Sequence, residues 1–316
     1  METRVKAHRH RKGFLLAWVV TLSMLTPVPC NPVQEVSLTV LFSSNLPAYA
    51  EAWKGFNEHL RENNIVLNVT QLDLADGQQS VSGASISRGN PRMVMSLGTK
   101  ASRLARDHVK EIPHISCMVF SPDDISGPQA TGVTMQIPIE TKLRGIKRAL
   151  PGVRRIGMLY SPRTASVQRQ AQIKCDEMGL ILVAERVESE KDLPGALSGM
   201  IRRTDCFLMI ADPSIYSPAS VKHLLSRGVE ARLPVIGLSS HYTEAGALLS
   251  FDCDFTDLGR QAGEIAGRIL KGEKAGTIHP ASPRKIRLSI NKAAAQRLGI
   301  EISGSVLREA DEVIGR

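Results

Sequence analysis

Short side chains that donate or accept hydrogen bonds follow nearly every apolar run of this chain. Such runs are typical of buried strands, and in open parallel sheets ligands bind beyond the carboxyl ends of the strands. Most of these side chains carry hydroxyls, two are aromatic and one is a carboxylate: Ser43, Ser44, Gly98, Thr99, Phe120, Ser121, Tyr160, Ser161, Asp212, Ser239 and Ser240. We expect them to line a binding site for a small polar molecule.

The segment MVMSLGTKASRLA passes from an apolar run to a helical pattern at Gly98-Thr99. Glycine lets a ligand approach the backbone, Thr99 can cap the helix, and the free N–H groups of a helix start attract an anion. The nucleotide-binding spacings G-x-x-x-x-G-K-[ST] and G-x-G-x-x-G are both absent from the chain. A small carboxylate that accepts a hydrogen bond from Thr99 is one prediction for this position, and an ordinary capped helix is the other.

Asp212-Pro213 is the second informative position. A carboxylate after a strand can bind an ammonium or hydroxyl group of a ligand. An aspartate before proline can also simply start a turn. Both interpretations stay open at the level of the sequence.

The sequence gives little support for a catalytic site or a metal-binding site. Ser239, Ser240, His241 and Asp212 are residue types of a Ser-His-Asp hydrolase, but no G-x-S-x-G elbow places a serine. The histidines lack H-E-x-x-H spacing, and the cysteines after Cys30 lack a C-x-x-C pair. We therefore expect no enzyme, no metal site and no cofactor, and disulfide pairing stays open.

The elements that must position these residues alternate between strand and helix in two successive runs. Five apolar segments predict the strands of the first run: Val36–Phe42, Ile65–Leu74, Arg92–Leu97, Ile112–Phe120 and Ala130–Met135. The second run extends from a helix over 138–152 to a strand at Lys285–Asn291. This alternation predicts the α/β class, with two doubly wound parallel-sheet lobes.

One late helical segment, Thr256–Lys271, carries Gly259, Gly263 and Gly267 at four-residue intervals. Its charged residues exclude a membrane span. We expect the glycine face to pack closely against the sheet of its own lobe.

Residues 1–30 predict a signal peptide. Five basic residues and one acidic residue precede a short apolar run, Gly13–Leu25, and a Pro-rich break that ends at Cys30. The mature protein is then periplasmic and begins near Asn31, with a lipid anchor on Cys30 as the alternative. The formal net charge of +9 is otherwise dispersed, which argues against nucleic acid as a partner.

Six segments resemble the substrate-binding proteins of an ABC-transporter family in the type I periplasmic-binding class, some of which are linked to aromatic amino-acid uptake. They are SLGTKA, IPHISCMVFSP, TGVTMQIPIETKLRGIKRALPGVRRIGMLYSP, ADPSIYSPASVKHLL, LPVIGLSSHYTEAGALLSFDCDFTDLGRQAGEIAGRILKG and LSINKAAAQRLGI. The likeness covers nearly all of the mature chain, in order.

The resemblance implies two lobes joined by a three-strand hinge, with crossovers near Pro138, Asp252 and His279. Lobe 1 would comprise residues 31–137 and 252–278, and lobe 2 residues 138–251 and 279–316. Residues that follow the strands would bind the ligand. Amino-acid-binding relatives often carry Asn-Pro and Asp-Asn where this chain has Ser161-Pro162 and Asp212-Pro213, so the aspartate is kept and the amide is not.

The implied function is that of a monomeric solute-binding protein. It would capture a small polar ligand, a carboxylate or an amino-acid-like molecule, and deliver it to an ABC permease in the inner membrane. The alternative is a periplasmic sensor that presents its closed form to a membrane receptor or kinase.

Overall fold

The computed structural model describes residues 1–3, 34–75 and 81–315. Apart from residues 1–3, the predicted signal peptide, the alternative lipid anchor at Cys30 and the predicted mature start near Asn31 lie outside the described residues. Across these described ranges, we find no helix with the length and apolar character that crossing a membrane requires.

Strands and helices alternate along the described chain. The strands are β1 (Gln34–Phe42), β2 (Ile65–Asp73), β3 (Met93–Leu97), β4 (His114–Val119), β5 (Ala130–Thr134), β6 (Arg155–Tyr160), β7 (Ile181–Arg186), β8 (Cys206–Leu208), β9 (Val235–Gly237), β10 (Leu249–Cys253), β11 (Ile286–Asn291) and β12 (Glu312–Ile314). The α-helices are α1 (Pro47–Glu62), α2 (Gly83–Ile86), α3 (Thr99–His108), α4 (Ile139–Ala149), α5 (Ala165–Glu177), α6 (Leu193–Met200), α7 (Pro218–Glu230), α8 (Ser240–Glu244), α9 (Phe255–Leu270), α10 (Lys292–Leu298) and α11 (Gly304–Glu309).

The first lobe is built on a parallel sheet of order β2-β1-β3-β4-β5. Every residue of β3 and β4 is buried, as expected for strands with helices on both faces. Met93 and Met95 of β3 belong to the core cluster that contains α1 and α9, whereas Val94 packs in a second cluster with α3. The two helical layers therefore lie on opposite faces of this sheet.

The second lobe is built on a sheet of order β12-β11-β10-β9-β8-β6-β7. All neighbouring strands are parallel except β10 and β11, which are antiparallel. The prediction of two α/β lobes with doubly wound parallel sheets is confirmed. Buried apolar side chains of both sheets form one continuous cluster.

The chain passes between the two sheets at three places. The first lies between β5 and α4, and the second lies where β10 ends at Cys253 and α9 begins at Phe255. The third follows Ala281, which bridges to Val133 of β5 before β11 enters the second sheet. The residue bounds of the lobes inferred from the resemblance stay a prediction.

Helix α2 lies in Gly77–Gly89, a Ser- and Gly-rich segment for which the sequence predicts a poorly specified helix, but three short elements were not expected: α8, α11 and β12. Each is six residues or fewer, too short for hydrophobic periodicity to register. β12 pairs in parallel with β11, so the second sheet continues beyond the strand Lys285–Asn291 at which the predicted second run ends.

Helix α9 packs on the sheet of its own lobe, beside β4 and β5, as expected, but its glycine face packs against helix α1. A Cβ atom at Gly259 would overlap the Ala52 carbonyl oxygen of α1, and one at Gly263 would lie 3.0 Å from Cβ of His59. Gly267 has nothing within 4 Å of the position of a Cβ atom. Two of the three glycines therefore allow α1 and α9 to approach closely.

A polar cluster lies inside the first lobe, between α3 and its sheet. Ser96 Oγ is 2.8 Å from His114 Nε2 and 2.9 Å from Ser102 Oγ. His114 is only 2% exposed, and burial lowers its pKa from 6.5 to about 4. The imidazole is therefore neutral in the folded protein over the physiological range.

We expect His114 to make the protein less stable in acid. The unfolded chain binds the proton near pH 6.5 and the folded chain only near pH 4, so stability falls as the pH falls through this window. The loss amounts to about 2 kcal/mol at pH 5 and about 3 kcal/mol once the pH reaches 4. Urea unfolding of the wild type and His114→Asn at pH 7, 5.5 and 4.5 measures it. An equal loss in both proteins would show that other groups cause the acid sensitivity.

Candidate ligand-binding site

The first lobe's part of the candidate site forms where β1 and β3 end side by side. Gly98 follows β3 with a φ of 89°, a conformation that favours glycine. A Cβ atom here would overlap the Tyr49 hydroxyl and lie 2.7 Å from Ser43 Oγ. Gly98 therefore lets Ser43 and Tyr49 meet at the start of α3.

The side chain that caps helix α3 comes from Ser43, directly after the end of β1. Its N-cap is Gly98, so the expectation that Thr99 caps this helix is wrong. Ser43 Oγ instead accepts the Ala101 N–H at 2.9 Å. Among the described residues, the N–H groups of Thr99 and Lys100 have no partner, and Thr99 Oγ1 is buried without one. These donors together suit one carboxylate.

Tyr49 belongs to this site, although its helical spacing with Ala52, Trp53, Phe56 and Leu60 predicts only a position on the apolar face of α1. Its hydroxyl and Ser43 Oγ both lie within 3 Å of the position that a Cβ atom of Gly98 would take. Burial raises the pKa of Tyr49, and its contacts with Ser43 and Ser44 oppose that rise only in part. The hydroxyl therefore stays protonated at neutral pH. The sequence signal that could have identified Tyr49 as a site residue is its position in the first turn of the helix that follows β1.

A bulge at the end of β4 exposes an aromatic ring. Met118 has a φ of 61°, and the register between β4 and β5 shifts at this residue. Phe120 follows with 56% of its surface exposed, directly after a strand of six buried residues. Ser121 Oγ accepts the Asp123 N–H at 3.2 Å and starts a single 3-10 turn. The Phe120 ring is therefore free to pack against a bound molecule.

In the second lobe, Asp212 links the ends of β6 and β8. One carboxylate oxygen accepts hydrogen bonds from Ser161 Oγ at 2.6 Å and Thr164 Oγ1 at 2.8 Å. The other accepts from the Ser214 N–H at 3.0 Å and Ser214 Oγ at 2.5 Å. These four bonds fill the usual acceptor capacity of a carboxylate. A ligand ammonium would therefore replace one of the hydroxyl donors.

The environment keeps Asp212 ionised. Burial to 3% exposure acts to raise its pKa, but the hydrogen bonds from Ser161, Ser214 and Thr164 outweigh burial and lower the pKa. The Asp212 carbonyl also accepts the N–H groups of Ile215 and Tyr216. Asp212 therefore does start a turn, and its carboxylate organises the strand ends around it.

A cavity of about 480 Å³ lies where the start of α1 faces the second lobe. Its first-lobe walls are Leu46, Pro47, Ala48, Glu51 and Phe255, and its second-lobe walls include Ser239, Ser240, Asp252 and Arg287. This volume falls within the range of about 300–1,000 Å³ that is usual for small-molecule sites.

Asp252 and Arg287 enter this cavity as cross-strand neighbours. They are directly opposite in the antiparallel pair β10–β11, so their side chains share one face of the sheet. Burial raises the pKa of Asp252, and the N–H groups of Cys253 and Ser240 offset that rise only in part. The sequence offered no signal for Arg287, because strand pairing alone places it beside Asp252.

The predicted site residues thus fall into local groups. Ser43, Ser44, Gly98 and Thr99 meet at α3, Ser161 meets Asp212, and Ser239 and Ser240 share the cavity with Asp252. Phe120 and Ser121 stand at the end of β4, and Tyr160 packs half-buried against the main core. Within the described parts of the chain, no hydrogen bond joins the α3 group to the Asp212 group.

The cysteines of the described ranges are four buried free thiols: Cys117, Cys175, Cys206 and Cys253. Burial raises the pKa of Cys117 to about 12 and that of Cys175 to about 11, which keeps both thiols protonated and unreactive. The described residues contain no cluster of His, Cys, Asp and Glu that could hold a metal ion.

Two α/β lobes with polar groups at their strand ends and a cavity walled by both lobes define a two-lobed ligand-binding protein. The chain belongs to the ABC transporter substrate binding protein family, whose pattern matches residues 35–314. Proteins of this family bind substrates outside the cytoplasm. The resemblance found in the sequence is thereby confirmed.

Three similar proteins illustrate the relationship. A tyrosine-binding protein of Clostridioides difficile (strain R20291) is 22% identical over 276 residues, which cover 81% of this chain and 78% of that protein. A Streptococcus pneumoniae ABC domain in complex with L-Trp is 23% identical, with a TM-score of 0.63 over 89% of this chain and all of that one. A ligand-free, open substrate-binding protein with adhesive properties from Clostridium difficile is 19% identical, with a TM-score of 0.71 over 89% of this chain and 100% of that chain. At these identities the two structures show the fold.

Proposed function

We propose that this protein captures a small polar ligand, a carboxylate or an amino-acid-like molecule, between its lobes and delivers it to an ABC permease in the inner membrane. The observation that carries the proposal is the cavity whose walls come from both lobes, Leu46–Ala48 on one side and Ser239, Ser240 and Asp252 on the other. Membership of the substrate-binding family supports the partner. The predicted signal peptide supports a periplasmic location.

Capture needs no covalent chemistry. A ligand that contacts both lobes binds the closed arrangement more tightly than the open one, so binding shifts the population toward closure. The permease then recognises the closed form. Several hydrogen bonds in a partly enclosed cavity support a micromolar or lower Kd, equivalent to about −8 kcal/mol or better.

An amino-acid-like ligand has two lines of support. The free N–H groups and buried hydroxyl at the start of α3 suit a carboxylate. The exposed Phe120 ring suits an apolar or aromatic side chain. The tyrosine-binding relative and the L-Trp complex are consistent with this class.

Thermal unfolding in the presence of candidate ligands tests the proposal. A compound present at 100 times its Kd adds about 2.7 kcal/mol, which raises Tm by about 5–10 °C in a chain of this size. We expect such a rise with one or more compounds among amino acids, organic acids and nucleosides, with amino acids first. A flat response across all three classes, in protein shown to be free of bound ligand, would contradict solute capture.

Asp212→Ala is expected to weaken binding of a cationic or zwitterionic ligand by about 2–5 kcal/mol. The substitution removes the acceptor of four hydrogen bonds and leaves the hydroxyls of Ser161 and Thr164 without their partner. Calorimetry with a ligand from the thermal screen measures the affinity, and a parallel melting curve of the unliganded variant measures the structural cost. Unchanged affinity would remove Asp212 from the site.

A further inference from the structure

The end of the first lobe that lies away from the candidate site is built from strand starts and helix ends. The strands of the first sheet are parallel, so all of them begin here, and α1 and α3, which return the chain between parallel strands, finish here. Helix α9 runs beside α1 in the same direction. Arg92 Nη2 donates to the Leu270 carbonyl at 3.5 Å, so the start of β3 and the end of α9 are adjacent.

This end of the lobe carries six exposed basic residues that take part in no ion pair among the residues that the structure describes. They lie in the last turn of α1, in the loop before β3, after α3 and after α9: Arg61, Arg88, Arg92, Lys110, Lys271 and Lys274. We call the surface that these six residues form the basal face.

The acidic residues at this end do not cancel the charge of the basal face. Three of them already pair with other arginines: Glu62 with Arg260, Asp107 with Arg106, and Glu273 with Arg268. Glu35 and Glu111 are exposed and have no ion pair within the described ranges. Two unpaired acidic residues against six unpaired basic residues leave the basal face with a net positive charge. An extended positive surface attracts a polyanionic partner.

The residue types of the basal face narrow the class of that partner. From Gln34 onward, the large exposed apolar side chains of the described residues lie elsewhere, apart from Val66 near the start of β2. A protein interface is centred on apolar and aromatic side chains, and single-stranded nucleic acid stacks on aromatic rings. Lysines and arginines without such neighbours suit the anionic headgroups of a phospholipid bilayer.

The entry of the chain into the first sheet supports the same partner. Strand β1 begins at this end, at Gln34, four residues after Cys30. Four residues span at most about 14 Å. In the lipid-anchored alternative, an anchor on Cys30 would therefore hold the basal face close to the bilayer. In a mature protein without the lipid, the basal charges alone would supply the attraction.

We propose that the basal face binds the surface of an anionic phospholipid bilayer. The attraction is electrostatic, so it is reversible and falls with ionic strength, since salt screens exposed charges beyond about 8–10 Å at physiological concentrations. The candidate site lies at the carboxyl ends of the same strands, so the cavity faces away from the membrane. Association would thus concentrate the protein at the membrane without covering the cavity.

Sedimentation with lipid vesicles tests the proposal. The unlipidated mature protein is mixed with vesicles of phosphatidylcholine, alone or with about 30% phosphatidylglycerol, at about 20 mM NaCl. We expect binding only to the vesicles that contain phosphatidylglycerol, and weaker binding at about 150 mM NaCl. Each basic residue beside an anionic surface contributes about fivefold to the affinity. A variant with four basal substitutions should therefore bind about a hundredfold more weakly: Arg61→Gln, Arg88→Gln, Lys271→Gln and Lys274→Gln.

A second-lobe variant with the same change in net charge is the matched control. It neutralises four exposed basic residues that also have no ion pair within the described chain: Arg202→Gln, Arg203→Gln, Lys222→Gln and Arg297→Gln. The control should lose less than about fivefold in affinity, and melting curves should show that both variants fold. Equal losses in the two variants would overturn the proposal, because net charge alone would then explain the binding.

Two further results would overturn the proposal. One is the absence of wild-type binding to phosphatidylglycerol vesicles at low salt. The other is binding to duplex DNA as tight as binding to these vesicles, which would assign the basal face to nucleic acid. The thermal response to candidate ligands should be the same in the wild type and both variants, so failure of this proposal leaves solute capture untouched.

Discussion

Gly259→Ala is expected to lower the free energy of unfolding by about 3 kcal/mol or more. The added methyl group would overlap the Ala52 carbonyl oxygen and lie 2.9 Å from the Phe56 N atom, both in α1. Backbone atoms cannot rotate away as side chains can, so α1 and α9 must move apart. The interface is constrained from both sides, because a Cβ atom at Gly55 of α1 would overlap the Thr256 carbonyl oxygen of α9. Urea denaturation of purified protein measures the change.

Gly267→Ala in the same helix is the matched control. No atom lies within 4 Å of the position of its Cβ. Alanine is favoured over glycine in a helix interior by about 1 kcal/mol, so this variant should gain up to that amount. Equal effects of the two substitutions would contradict close packing of α1 against α9. If Gly259→Ala fails to fold at all, Gly263→Ala offers a milder contact, 3.0 Å from Cβ of His59.

Gly98→Ala is expected to weaken ligand binding by about a hundredfold, or roughly 3 kcal/mol. The residue has a φ of 89°, and its Cβ atom would overlap the Tyr49 hydroxyl and crowd Ser43. Since Ser43 also caps α3 through Ala101, the substitution would displace the N–H groups proposed to bind the ligand carboxylate. Calorimetry with a ligand found by thermal screening measures the loss.

Gly89→Ala is the control for Gly98→Ala, because it introduces backbone strain at a positive φ without altering the candidate site. Gly89 has a φ of 77°, but nothing lies within 4 Å of its Cβ position. The control should lose about 1 kcal/mol of stability and bind ligand normally. Normal binding by Gly98→Ala as well would show that the start of α3 does not contact the ligand.

The fold was predictable because its signals are local. Buried parallel strands such as β3 read as unbroken apolar runs, and Gly or Pro marks the helix ends. The same locality placed Gly98, Asp212 and Ser239 correctly at strand ends. Elements as short as β12 could not be predicted, since three residues are too few to show hydrophobic periodicity.

The detailed site was less predictable, because it depends on contacts between distant segments. Ser43 caps a helix that begins 56 residues later at Thr99, and no local pattern indicates this. Arg287 gains its place beside Asp252 only through the antiparallel register of β10 and β11. The glycines of α9 were correctly read as a close-packing face, but the sequence could not say that the partner was α1.

Mass spectrometry of the mature protein, purified without unfolding and compared under native and denaturing conditions, tests solute capture most directly. The account predicts a native mass that exceeds the denatured mass by one small molecule, released on unfolding and identifiable as an amino acid. Protein that carries no adduct, and gains none after incubation with amino acids, organic acids or nucleosides, would contradict the account and favour recognition of a macromolecular partner.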